Sequence, residues 1–514
     1  MKIQYPLEKY IGRNIGFDAA FLFLGNGIQL ISGTLFYVVL SHFFNSSIVG
    51  EITIFVAVIT LSSVIFTFGL NLAVQHFISI SMGDNNDNPR RIFLREIMPL
   101  AMLLAFASFI SIYLLSSNIS QIFFHSSSYT GLIRLASYIS PFSIIFSILG
   151  GSLLGVGRYR LSALLNIIVF SIYYMGASVI SIRYHDITLS LYVWLVSMFI
   201  GTIAGSILVL YSMKHMNGAS SVKVGKNQIV KYSTPLLVSQ IISTGAAYAD
   251  RLIVTGLTTV SLLGIYTYAL LFSTAVIFIV GPFNNILLTK LSYYKGTRDM
   301  QSFRYGMSTS IDLLNGLILP VSFGLASITP LALYVFIGPG YVGGQYAMEI
   351  ILLIIPFFLT SNIYAQGLNS LKKTKVFLIS SSSSLIANFV ISVITIPYIG
   401  IEGAAIGYTS TYIVSFIINS LMFRREVKGV MNLTPLMKIT FSSLIMFVVV
   451  QVFYYTIGIN LAPSYAILIE ILMGAFIYKL MEFITKPFSD ETWNFIYNTF
   501  PHRKLYTIML RIIL

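Results

Sequence analysis

The sequence has no cysteine and very little charge. Of its 514 residues, 9% are charged and 56% are hydrophobic, and the mean hydropathy is +0.85. Soluble domains carry about 25% charged residues, so the composition excludes an ordinary soluble protein. The lack of cysteine excludes disulfides, thiolate catalysis and cysteine–zinc sites.

Motifs for enzymatic chemistry are also missing. VGKNQ at 224–228 lacks the glycine spacing and the Ser/Thr of a nucleotide-binding P-loop. There is no H-E-x-x-H motif, and the six histidines do not cluster in the sequence. The outer loops are short and contain no D-x-D motif that would hold a sugar donor. We therefore predict that the chain is not an enzyme and binds neither a cofactor nor a metal.

Apolar runs of about twenty residues recur along the whole chain, which is typical of a polytopic helical membrane protein. They predict an all-α fold with about fourteen transmembrane helices. These spans, numbered 1 to 14, lie near 17–41, 52–75, 97–116, 132–154, 161–182, 188–211, 232–255, 262–289, 306–328, 347–369, 376–396, 403–423, 438–457 and 464–485.

The distribution of the basic residues predicts the orientation. With the N-terminus inside, all but Arg134, Arg183 and Arg251 of the 31 lysines and arginines fall in inner segments, as the positive-inside rule requires. We therefore predict a multi-pass plasma-membrane protein with both termini cytoplasmic. Because the net charge of +14 is spread over many inner segments, it indicates contact with membrane lipids and not with nucleic acid.

Three weak internal matches suggest a repeat. Gly50 pairs with Gly264, Ser79 with Ser292 and Arg160 with Lys375, all at nearly the same separation. Six spans per copy would place both copies the same way up, as in transporters built from parallel repeats. The sequence thus predicts two parallel six-helix lobes plus two C-terminal helices. The expected regions are 1–215 and 216–430 for the lobes, 431–488 for helices 13 and 14, and 489–514 for a basic amphipathic cytoplasmic tail.

Polar residues inside the predicted spans are candidates for function because burying them in a membrane costs free energy. They concentrate in the first two spans of each lobe. The alternative is that they only hydrogen-bond neighbouring helices. The candidate substrate-binding residues are Arg13, Asn26, Gln29, Asn71, Gln75, Gln240, Arg251, Asn284 and Lys290, and the candidate ion-coupling residues are Asp18 and Asp250.

Two of these candidates need closer attention. Asp250 and Arg251 are adjacent in span 7, so their side chains point about 100° apart and each needs another partner; a structural ion pair near the outer surface is the alternative to a functional role. Asn284 follows Gly281-Pro282, which we expect to interrupt span 8.

Span 7 and its surroundings resemble the polysaccharide flippase family of the multidrug/oligosaccharidyl-lipid/polysaccharide exporters. The turn IPYIGIEGAAIGYTSTYIV at 396–414 and the loop FIGPGYVGG at 336–344 are similar to segments of that family. The resemblance extends over roughly residues 10–425. The positions that match the family pattern, in span 7 and at the start of span 8, are Pro235, Gln240, Asp250, Arg251, Gly264, Tyr266 and Ala269.

The resemblance implies a transporter whose two lobes rock around a central, often cationic cavity. In the related lipid II flippases, arginines on helices one, two and eight serve that cavity. This sequence departs from that pattern: only Arg13 lies near helix one, only Lys290 lies at the end of helix eight, and helix two has His76.

We therefore expect a flippase that moves polyprenyl-phosphate-linked oligosaccharides to the outer leaflet by alternating access. Its partners would be the lipid-linked oligosaccharide, membrane lipids, a coupling cation or proton, and glycan assembly enzymes. The alternatives are a cation-coupled multidrug exporter of the same superfamily and a membrane glycosyltransferase or polymerase.

Overall fold

The structure is a computed structural model of the whole chain. Most of the chain is described, and the N-terminal and C-terminal segments lie outside that part. The described residues are 15–83, 89–124, 126–214, 225–296, 298–371, 373, 375–427 and 433–488.

Across these ranges the long elements are all α-helices, and no strand occurs in the described residues. This confirms the all-α fold. The long helices are α1 Ile15–Phe43, α2 Ser46–Thr67, α3 Leu70–Gly83, α4 Met98–Phe124, α5 Thr130–Gly155, α6 Tyr159–Tyr184, α7 Ile187–Ser212, α8 Lys226–Leu257, α9 Val260–Gly296, α10 Met300–Ser327, α11 Gln345–Ser370, α12 Lys375–Glu426, α13 Leu433–Thr456 and α14 Pro463–Thr485.

The helices account for the predicted membrane spans. Within the described residues, 11 helical stretches are long and apolar enough to cross a membrane. One of them is α12, which contains the predicted spans 11 and 12 on either side of a kink. The predicted spans 7 and 14 correspond to α8 and α14. The protein is therefore a multi-pass membrane protein.

The predicted span 2, near 52–75, is divided between two helices. The helix α2 ends at Thr67, where Phe68 and Gly69 take positive φ angles of 55° and 68°, and α3 starts at Leu70. Glycine adopts such angles freely. A side chain at residue 69 would also approach the backbone oxygen of Ser233 to 2.9 Å. The break therefore allows a close contact between the start of α3 and α8.

A second irregularity joins the predicted spans 11 and 12. The non-helical angles of Ile399 and Gly400 kink α12, so its two arms can fold back on each other. Gly403 in the second arm lies against the backbone of Thr395 in the first, where a Cβ would come within 2.6 Å of the Thr395 carbonyl carbon. The turn that resembles the flippase family is thus a tightly packed helical hairpin.

The expected interruption of span 8 at Gly281-Pro282 does not occur. The helix α9 runs from Val260 to Gly296 through both residues. Membrane helices tolerate proline because neighbouring groups satisfy the freed backbone.

The chain divides into two compact units, Met1–Tyr248 and Ala249–Leu514, called here unit 1 and unit 2. The division falls inside α8. In unit 1 the central helix is α5, which packs against α2, α3, α4 and α7, while α1 packs along α6. The lobe boundary at 215/216 stays a prediction.

Unit 2 repeats this pattern of pairing. Its central helix is α11, which packs against α9, α10 and α12. Since α11 holds predicted span 10 and α5 holds predicted span 4, the two central helices are equivalent in the repeat. The additional helices α13 and α14 pack on each other, and α13 packs on α10.

Candidate functional site

Unit 1 contains an open cavity of about 590 Å³, which is within the roughly 300–1,000 Å³ range of small-molecule sites. We call it the unit 1 cavity. The helices α1, α2, α3, α5, α6 and α7 line it together with Tyr248 of α8. The polar, aromatic and glycine residues at its surface are Gln29, Tyr37, Thr60, Ser63, Asn71, Gln75, Ser143, Phe146, Ser147, Gly150, Gly151, Ser162, Asn166, Phe170, Tyr173, Tyr174, Trp194 and Tyr248.

The described lining combines polar, aromatic and aliphatic side chains, the last being Val56, Ile59, Leu72, Leu154 and Met198. Its polar groups are side-chain amides and hydroxyls, and no Lys, Arg, Asp, Glu or His is among the described residues at its surface. The aromatic side chains form a connected cluster in which the rings of Tyr173 and Trp194 stack with centroids 4.7 Å apart. Such a surface hydrogen-bonds neutral groups and packs against apolar ring faces.

Two glycines of α5 bring the amides of α3 to the cavity. A Cβ at Gly151 would overlap the backbone oxygen of Asn71, and a Cβ at Gly155 would come within 3.0 Å of the backbone oxygen of Gln75. These glycines form a small-xxx-small pair, which lets membrane helices approach closely. Asn71 and Gln75 are one helical turn apart on α3, so they share the face that this contact holds in place.

The first part of α8 also packs on α3. Gln240 Nε2 donates a hydrogen bond to Asn71 Oδ1 at 3.4 Å. Nearer the start of α8, the ring of Tyr232 stacks on His76 with centroids 4.3 Å apart. Gln240 therefore supports a residue of the cavity.

Three polar groups at the cavity have no hydrogen-bond partner within the described part of the chain. They are the hydroxyls of Ser63 and Ser143 and the indole N–H of Trp194, and all three atoms are buried. Leaving such a group unsatisfied costs about 1–3 kcal/mol. They come from α2, α5 and α7, and their residues are all among those that line the cavity.

Unit 2 contains a different kind of polar group. Asp250 is fully buried, and its Oδ2 accepts a hydrogen bond of 2.8 Å from the hydroxyl of Tyr266. Its Oδ1 has no partner in the described residues. Arg251, Tyr408 and Tyr412 lie close enough to interact electrostatically with it. We call these five residues the Asp250 cluster.

The structure distributes the predicted site residues unevenly. Gln29, Asn71 and Gln75 meet in the unit 1 cavity, and Gln240 contacts it through Asn71. Asn26 is exposed and is not among the lining residues. Asp250 and Arg251 belong to unit 2. Arg13 and the side chains of Asp18, Asn284 and Lys290 lie outside what the structure describes.

Several cavity residues were missed by reasoning from the sequence. Asn166 lies within span 5 and satisfies the criterion that selected Asn71, so it could have been found. The spacing of Gly151 and Gly155 is also visible in the sequence. Ser63, Ser143 and Trp194 had no such signal, because serines and a tryptophan are common in membrane helices.

Among the residues that the structure describes, no group of three or more His, Cys, Asp or Glu could hold a metal ion. The chain matches no protein-family model and no curated protein sequence.

Solved structures give clear matches. The lipid II flippase MurJ in an inward closed conformation aligns with a TM-score of 0.70 at 17% identity, over 90% of this chain and 98% of that one. An inward-facing multidrug resistance MATE transporter of the MOP superfamily aligns with a TM-score of 0.61 at 15% identity, over 81% and 95% of the two chains. A MOP superfamily transporter from Pyrococcus furiosus aligns with a TM-score of 0.55 at 14% identity, over 79% and 94%. The chain thus has the fold that MurJ and the MATE transporters share.

Proposed function

We propose that this chain, which has the MurJ and MATE fold, is a membrane transporter that flips a polyprenyl-phosphate-linked oligosaccharide from the inner to the outer leaflet. The observation that carries the proposal is the unit 1 cavity, where Gln29, Asn71 and Gln75 meet hydroxyl and aromatic side chains. This chemistry suits a hydrated head group and not a lipid tail.

The physical task explains the need for such a cavity. A sugar head group would lose its water on crossing about 30 Å of hydrocarbon. Amides and hydroxyls inside a protein replace those hydrogen bonds, since each amide both donates and accepts. The lipid tail can stay in the bilayer while alternating access moves the head group.

The negative phosphates of the carrier require cations. Among the predicted residues these are Arg251 of the Asp250 cluster, Arg13 and Lys290. Asp250 would hold a coupling proton or cation. Burying a carboxylate in a membrane protein costs free energy, so its presence there points to a function. Asp18 is the second candidate for that role. Glycan assembly enzymes would supply the substrate and take up the product.

A reconstituted system tests the proposal. Purified protein in liposomes receives a labelled polyprenyl-linked oligosaccharide in one leaflet, and an impermeant reagent that modifies the sugar reports its arrival in the other. We expect protein-dependent transfer without chemical change. Transfer no faster than in protein-free liposomes, across a panel of lipid-linked sugars, would refute the flippase. A longer or altered glycan would indicate a glycosyltransferase or polymerase.

A drug exporter is the second candidate, favoured by the aromatic side chains of the cavity. Aromatic faces attract organic cations, and MATE transporters share the fold. Export of a cationic dye from the same liposomes under an imposed ion gradient would favour this alternative. The flippase predicts that the dye is not exported.

A further inference from the structure

We infer that the unit 1 cavity is a binding site for uncharged sugar, separate from any site for the phosphates of the substrate. The inference rests on the proposed function and specifies which part of the substrate this cavity takes. It follows from three properties of the described lining residues: donors without a partner, aromatic rings and no charged side chain.

The unused donors select a ligand rich in acceptors. The hydroxyls of Ser63 and Ser143 and the N–H of Trp194 have no partner in the described residues, as is also the case for Ser212 and Ser233 away from the cavity, whereas several other buried serines of unit 1 are paired. Ser140, for example, bonds both Ser62 and Ser108. The serine pairs satisfy one another, whereas the three groups at the cavity do not. Sugar hydroxyls accept from such donors and also donate to the amide oxygens of Asn71 and Gln75.

The aromatic surface fits the other side of a sugar. A pyranose ring has polar edges and a face of C–H groups that packs against aromatic rings. Tyr173 and Tyr174 lie side by side with ring centroids 4.6 Å apart, and Trp194 stacks on Tyr173. Because Tyr173 and Trp194 are 2% and 8% exposed, the half-buried Tyr174 is the most accessible of the three rings.

The described lining offers no cation to an acidic group. A carboxylate or phosphate transferred from water to this cavity would lose its hydration without gaining a cation, because no lining residue in the described part is basic. The cost of burying an unpaired charge is far greater than that of a neutral polar group. The cavity therefore prefers neutral sugars to uronic acids or other acidic sugars.

The chain offers a direct reporter for this site. It has two tryptophans, Trp194 and Trp493, so Trp493→Phe leaves Trp194, at the cavity, as the single tryptophan, which can be excited selectively over the tyrosines. The probes are cellobiose, lactose and N,N′-diacetylchitobiose as neutral sugars. A glucuronic-acid disaccharide and inorganic pyrophosphate serve as their acidic counterparts.

We expect a saturable change in Trp194 fluorescence with at least one neutral disaccharide and none with the acidic probes. Ser63→Ala with Ser143→Ala removes two donors and should weaken binding by about tenfold, from roughly 0.5–1.5 kcal/mol per hydrogen bond. Ser206→Ala is the matched control, since its hydroxyl bonds Thr202 within α7 and Ser206 is not at the cavity. It should bind like the parent.

The outcomes separate the two proposals. If no disaccharide affects Trp194, or if an acidic probe binds as tightly as a neutral one, the sugar site is refuted. If the double serine variant binds as the parent does, the assignment of its donors is refuted. Flipping of lipid-linked sugar in those cases leaves the proposed function standing. Sugar binding at Trp194 by a protein that flips no lipid-linked sugar refutes the flippase and keeps the site.

Discussion

The unit 1 cavity and the Asp250 cluster are both polar regions inside membrane helices, but they are built in opposite ways. The cavity is open space of about 590 Å³ with neutral side chains around it. The Asp250 cluster is closed, with a carboxylate that is 0% exposed and hydrogen-bonded to a tyrosine that is also 0% exposed. The described lining of the cavity has no charged side chain, whereas the Asp250 cluster has a carboxylate and a guanidinium.

Under the proposed function, this difference leads us to expect separate roles for the two regions. A space lined by amides and hydroxyls can exchange a large neutral ligand, because its groups make and break many weak bonds. A buried carboxylate responds to a small charge, because gaining or losing one proton or cation changes its energy strongly. We therefore expect changes in the Asp250 cluster to affect coupling, and changes in the cavity to affect substrate binding.

The largest effect is expected from Asp250→Asn. Asparagine still accepts the hydrogen bond from Tyr266 but carries no charge, so it cannot hold a coupling ion. We expect flipping driven by an ion gradient to fall by about tenfold or more, as the loss of a charge-assisted interaction implies. Sugar binding at Trp194 should be unchanged. Gradient-driven flipping at the wild-type rate would remove Asp250 from the coupling mechanism.

Tyr266→Phe separates the structural role of the cluster from its charge. It leaves the Asp250 carboxylate without its donor, which should destabilise the protein by about 1.5–3 kcal/mol. Tyr364→Phe is the matched control, because the Tyr364 hydroxyl is equally buried and has no partner in the described residues. Its thermal unfolding temperature should stay the same or rise. Equal unfolding temperatures for the two variants would contradict the importance of the Asp250–Tyr266 bond.

Gly151→Ala tests the packing that shapes the cavity. The added methyl overlaps the backbone oxygen of Asn71, so α3 must move away from α5, at a cost of about 1–3 kcal/mol. We expect a lower unfolding temperature and weaker sugar binding. In Gly150→Ala, the added methyl has no atom within 4 Å, so the unfolding temperature should not fall. A drop of the same size in both variants would argue against this packing contact.

The smallest effect is expected from Gln240→Leu. Its hydrogen bond to Asn71 is long, at 3.4 Å, so its loss should cost no more than about 0.5–1.5 kcal/mol. Sugar affinity should fall by severalfold at most, with gradient dependence retained. A complete loss of binding would mean that Gln240 contacts the sugar itself.

Local patterns were sufficient to predict most of the fold. Long apolar runs marked the spans because a helix must satisfy its own backbone in lipid, and this depends only on nearby residues. The helix break at Phe68 and Gly69 was not predicted, because it accompanies a close contact between Gly69 and the backbone of Ser233, which is distant in the chain. Continuity of α9 through Pro282 was also missed, since the surroundings of a proline decide whether a membrane helix continues.

The candidate site was predicted only in part. Polar residues in spans stand out because they are rare there, so Gln29, Asn71 and Gln75 were found, whereas Ser63, Ser143 and Trp194 were not. The hydrogen bond between Tyr266 and Asp250 could not be predicted from the sequence either, although both residues belong to the same matched motif. A motif gives residue types at a spacing, but it does not say which atoms bond.

The amino-acid sequence alone determined that the chain is a helical membrane protein with polar groups held at membrane depth, because hydrophobicity and charge act on each segment separately. The tertiary structure decided that amide residues of α1 and α3 line one cavity with Ser63, Ser143 and Trp194 of α2, α5 and α7, and that Asp250 pairs with Tyr266. Which helices touch depends on small residues such as Gly151 and on shape complementarity between distant segments. These properties depend on two packed surfaces together, so they cannot be predicted from either stretch of sequence alone.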